Sequence, residues 1–157
     1  MELFPKYNMK VIFLDIDGVV CLNGVNINSI LLDRIKKITL ATDSKVVISS
    51  SWRNCKKSMI RICSILKDND IGMAGETLDL PLADNIWEDR VEEILEWVDR
   101  KAPCNWVAID DLPLHQLYKE TNLEIRSNIL PHFVECDIFE GIQDYHVNYC
   151  IEFLGIK

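Results

Sequence analysis

The chain has 157 residues and a mass of 18.2 kDa, the size of one domain, and a second independent core is not expected. Hydrophobic residues make up 48% and charged residues 27%, a balance that excludes a disordered chain. Seventeen Lys+Arg against 25 Asp+Glu give −8 at pH 7, which excludes a long-range pull toward nucleic acid or anionic lipid, so any polyanion contact needs a local basic patch.

The opening MELFPKYNMK does not read as a signal peptide, because the apolar stretch after it is short and runs into acids. No run of about 18 apolar residues offers a membrane span. Val11–Ile16 reads as a buried strand ending in acid and glycine. Ile27, Leu31, Ile35 and Ile38 follow helical spacing. Val46–Ile48 is a second buried strand, ending in Ser49-Ser50-Ser51. Met59, Ile62, Cys63 and Leu66 mark a second helix. Gly72 to Pro81 is a loop, with a short strand near Ile71–Ala74. Val91, Ile94, Leu95 and Val98 mark a third helix, closed by Pro103. Trp106–Ile109 is a further strand, ending in Asp110-Asp111. Beyond it, Phe133–Val134 reads as a strand, and Val147, Ile151 and Leu154 as a last helix.

This alternation predicts an α/β three-layer sandwich with a mostly parallel central sheet, as one domain over residues 1–157. Parallel sheets bind ligands at the carboxyl ends of their strands. There the chain carries Asp15-Ile16-Asp17-Gly18, the serine run and Asp110-Asp111. So dense a set of acids calls for a hard cation, and oxygen-only ligands suit Mg2+. A carboxylate beside that cation can attack phosphorus, and a second can protonate the leaving oxygen and then activate water. A serine, Ser50 or its neighbour Ser49, can bond the phosphoryl oxygens. Arg90 is the expected neutralising cation, with Arg53 and Lys56 as rivals. The six cysteines, Cys21, Cys55, Cys63, Cys104, Cys136 and Cys150, form no CxxC pair and read as reduced thiols of a cytoplasmic protein.

In this order the motifs resemble the haloacid dehalogenase-like (HAD) superfamily of phosphotransferases. VIFLDIDGVV resembles its first motif, KVVISSSWR its second and WVAIDD its fourth, with Arg90 as the basic third. The resemblance implies a Rossmann-like fold with Asp15 as nucleophile and Asp17 as general acid and base. Ser50 and Arg90 would then hold the phosphoryl group, and Asp15, Asp110, Asp111 and the Asp17 carbonyl would hold Mg2+. An acid two residues after the nucleophile marks the phosphatases of the superfamily. The spacings Gly18–Val46 and Ser51–Arg90 leave no room for a large cap domain. The spelling also resembles the HAD domain of RNA-repair proteins and the 3′-phosphatase half of polynucleotide kinase-phosphatases. Both imply DNA or RNA ends as the phosphorylated substrate. No GxxxxGK[ST] kinase loop is present.

Substrate contacts are expected from Gly18, Ser51, Arg53 and Lys57. Arg53, Lys57 and Arg61 recur at i+4, as one basic helix face whose N-terminus also favours phosphate. Trp52 is suited either to stack a base or to fill the core.

Overall fold

The computed structural model describes residues 8–80 and 86–157. Its centre is a sheet of five strands, all parallel, in the order β3-β2-β1-β4-β5. The strands are β1 (Lys10–Leu14), β2 (Lys45–Ile48), β3 (Met73–Glu76), β4 (Asn105–Asp110) and β5 (Phe133–Glu135). The helices are α1 (Ser29–Thr42), α2 (Lys56–Asp68), α3 (Ile86–Lys101), α4 (Leu114–Leu117), α5 (Leu123–Ile129) and α6 (Asp144–Leu154).

The central strands are apolar throughout because both faces are covered. Side chains alternate across a strand. Ile12 and Leu14 of β1 join Val46 and Ile48 of β2 in a core closed by α1, α2 and α6. Val11, Phe13 and Val47 face the other way, under Val91, Ile94 and Trp97 of α3 and Leu114 of α4. Phe13 meets Trp97 and Trp106 edge-on, with ring centroids 5.3 and 5.6 Å away. Each fully buried large apolar side chain contributes roughly 1.5–3 kcal/mol. The result is the expected three-layer α/β sandwich, and no large cap stands among the described residues. Only α1 and its loops separate β1 from β2.

Several boundaries differ from the periodicity. Ile27 stands outside α1, because Asn28 caps the helix by accepting from the Ile30 and Leu31 amides. Ile16 is buried but lies past the end of β1. The expected strand near Ile71–Ala74 is β3, displaced to Met73–Glu76, and Pro81 lies outside the described residues. The short helices α4 and α5 carry no periodicity long enough to read. Among the described residues, no helix is long and apolar enough to cross a membrane.

The basic helix face is also revised. Ser51–Asn54 forms a 3-10 turn, and α2 begins only at Lys56 after extended Cys55. Arg53 therefore does not lie on the helix that carries Lys57 and Arg61.

Candidate active site

The ladder continues one residue past several strand ends. Asp15 N donates to Ile109 O (3.0 Å), Ser49 N to Leu14 O (3.1 Å), Thr77 N to Ile48 O (3.0 Å) and Cys136 N to Asp110 O (2.8 Å). Asp15 and Ser49 are thereby fixed at the sheet's carboxyl edge, with Asp110 at the end of β4 beside them. Continuing the alternation puts Asp15, Ser49 and Asp110 on the face covered by α3, the helix that carries Arg90.

Asp15, Asp110 and Asp111 each offer a carboxylate oxygen within 4.8 Å of the others. Arg90 is buried, with Nη1 2.6 Å from Asp110 Oδ2 and 3.4 Å from Asp15 Oδ1. Asp110 Oδ1 also accepts from Leu112 N at 3.0 Å. Burial pushes the Asp15 carboxyl up to about 6, against the pull of Arg90. Burial and the neighbouring Asp15 push Asp110 up to about 7, again against Arg90. Asp111 is half-buried and also raised, first by burial. Three close carboxylates, two of them sharing one guanidinium, form a hard-oxygen set short of positive charge. That donor chemistry fits a divalent cation such as Mg2+.

Gly18 makes this packing possible. Its φ is +76°, and a Cβ built there would lie 2.6 Å from Asp111 Oδ2 and 2.7 Å from Asp111 Cβ and Cγ. Gly18→Ala should lose about 1–2 kcal/mol from backbone handedness alone, and should also displace Asp111. Urea unfolding reads the first effect and calorimetric Mg2+ titration the second. Wild-type values in both would contradict this account of Gly18.

The second acid is held differently. Trp52 Nε1 donates to Asp17 Oδ2 at 3.0 Å, while Asp17 Oδ1 is buried without a hydrogen-bond partner. Trp52 itself is partly buried against the core. Ser50 Oγ caps the 3-10 turn, accepting from Trp52 N at 3.2 Å. Ser49 Oγ is buried and has no partner. Ser51 is exposed at the start of the turn.

Arg53 is turned inward. Its Nη1 donates to the carbonyls of Ser49 (3.0 Å) and Ser50 (3.1 Å), and its Nη2 meets Glu93 Oε2 at 2.6 Å. Glu93 also accepts from Leu80 N at 3.1 Å, and burial raises its carboxyl against the pull of Arg53. So α3 sends Arg90 to the acids and, three residues on, Glu93 to the residue that grips the serine loop. Lys56, Lys57 and Arg61 are exposed, and Arg61 donates to Val25 O (2.6 Å) and Asn26 Oδ1 (3.2 Å). Glu93, the buried partner of Arg53, and Thr77, whose buried Oγ1 has no hydrogen-bond partner, do not stand out in the sequence. Only the i,i+3 spacing of Glu93 from Arg90 signalled the first.

A parallel sheet whose edge gathers close carboxylates, buried hydroxyls and a buried arginine defines a Rossmann-like domain equipped for phosphoryl chemistry. Residues 11–147 match the family described as the HAD domain in Swiss Army Knife RNA repair proteins. The chain belongs to that family and is, in general class, a HAD-type phosphatase domain. No curated protein and no solved structure matches the chain.

Proposed function

We propose that the chain hydrolyses phosphomonoesters at nucleic-acid 3′ ends, through an aspartyl-phosphate on Asp15. The observation that carries the reading is the meeting of Asp15, Asp110, Asp111 and Arg90 at one sheet edge. A bound Mg2+, held by Asp15, Asp110, Asp111 and the Asp17 carbonyl, would supply positive charge to the phosphoryl oxygens.

In the first step an Asp15 carboxylate oxygen forms a bond to phosphorus. The ester P–O bond breaks with its electron pair on the leaving oxygen, which takes the proton of Asp17. In the second step Asp17, now a carboxylate, removes a proton from water. The water oxygen bonds to phosphorus, the P–O bond to Asp15 breaks, and orthophosphate leaves with both acids restored. Arg90, beside Asp15, opposes the negative charge of the transferring group. Ser49 is preferred over Ser50 as the hydroxyl that bonds the phosphoryl group. Its Oγ has no partner and it shares the Asp15 face, whereas Ser50 caps a turn.

Two observations support a nucleic-acid end: the RNA-repair family and a site with no large cap among the described residues, which suits a macromolecular phosphate. Arg53 serves the serine loop, so the exposed Lys56, Lys57 and Arg61 beside it are the cations of this segment that could meet a backbone. The −8 charge favours a second reading, a phosphatase of small metabolites or nucleotides. Orthophosphate release should be compared across 3′-phosphorylated RNA and DNA, 5′-phosphorylated ends, mononucleotides and sugar phosphates, with Mg2+ and with chelator. The expected result is Mg2+-dependent release, fastest from 3′-phosphorylated oligonucleotides and weakened by salt. Equal or faster release from mononucleotides would establish the second reading instead.

A further inference from the structure

We infer that Trp52 is a positioning residue for Asp17, holding one carboxyl oxygen so that the other is left for the reacting groups. The inference rests on the phosphatase reading above. An indole N–H only donates, so it engages a carboxyl oxygen as its acceptor. Trp52 Nε1 occupies Oδ2 at 3.0 Å, which leaves Oδ1 as the oxygen open to the reacting groups. That oxygen is buried and has no partner of its own. A buried oxygen without a partner is unfavourable. The ester leaving oxygen, and then the attacking water, are the groups that would satisfy it during the reaction.

The bond joins residues 35 apart in sequence, and its donor is held firmly. The 3-10 turn carrying Trp52 is closed by Arg53 N to Ser50 O and Cys55 N to Trp52 O, both 3.1 Å. Ser50 Oγ caps it, and the Arg53 guanidinium grips the two carbonyls before it. The indole ring is partly buried against the core. These supports hold the turn and the ring in place, and with them the N–H that meets Asp17 Oδ2. A tryptophan that served as core filler alone would have no bearing on the direction of proton delivery.

Trp52→Phe keeps the ring and removes the donor. Its turnover should be measured on an alkyl phosphate, whose leaving oxygen needs a proton, and on p-nitrophenyl phosphate, whose leaving group departs largely without one. The expected result is a fall in kcat at least about tenfold larger on the alkyl ester, with KM changed less than kcat. Trp52→His returns a ring N–H and should recover part of the alkyl-ester turnover, and it carries the test if the Phe variant does not fold. Equal losses on both esters, or no loss on the alkyl ester, would overturn the positioning role while leaving the phosphatase reading intact. No turnover of either ester by the wild-type chain would overturn the phosphatase reading, and the role of Trp52 with it.

Discussion

Asp15→Asn should lower phosphomonoester turnover by about 10⁴-fold or more, the scale seen when a nucleophile is removed from a site whose members act as a unit, without lowering the stability of the metal-free chain. The amide is nearly the same size as the carboxylate but cannot form the phosphoryl bond through an anionic oxygen. Stability holds because Asp15 is an unfavourable buried charge. Its carboxyl sits at about 6 in the folded chain, above the ordinary 3.8. The folded state therefore binds more protons than the unfolded state between those values, and stability falls as pH rises through that window. Asparagine has no such titration. Asp15→Asn should thus match the wild type near pH 4 and exceed it above about pH 6, with Arg90 still held by Asp110 at 2.6 Å. Urea unfolding without metal, together with a single-turnover assay, checks both halves. Activity within tenfold of wild type would remove the covalent mechanism.

The parts of the site legible in the sequence are those fixed by one strand each. Val11–Leu14, Val46–Ile48 and Trp106–Ile109 are apolar because both sheet faces are covered, so the first polar residue after each run marks the crevice edge. Features of the serine loop and its partners were not legible. The choice between Ser49 and Ser50 turns on which hydroxyl the 3-10 turn captures, and strand length does not report that. Arg53 matched the basic helical spacing, yet the break at Cys55 and the buried Glu93 turn it inward. Trp52 offered base stacking or core packing as readings. Its ring does pack on the core, but its N–H meets an acid 35 residues earlier. The segment between β4 and β5 holds only short helices, each too brief to show an apolar stripe.

Arg90→Met should destabilise the metal-free chain by about 3–5 kcal/mol near pH 8, the loss expected when one partner of a buried ion pair is removed, and by much less near pH 5. Arg90 reaches Asp110 at 2.6 Å and Asp15 at 3.4 Å, all three buried. Both carboxyls are already raised, to about 7 and about 6, and the guanidinium is the largest influence holding them down against burial. Without it both rise further. For acids raised in the folded state, the favourable contribution is present at low pH and declines as pH rises through the folded values. Removing the cation therefore deepens that decline and carries it to higher pH. In acid, where Asp15 and Asp110 are protonated, methionine faces neutral groups and the difference between variant and wild type shrinks. Added Mg2+ should return part of the lost stability at pH 8, because a cation among the same carboxylates restores the missing positive charge. Turnover should fall by about 10²–10³-fold even with Mg2+, since the charge opposing the phosphoryl group is gone. The measurement is urea unfolding at pH 5 and pH 8, with and without Mg2+. A destabilisation equal at the two pH values would mean that Arg90 acts through packing rather than through its charge on Asp15 and Asp110.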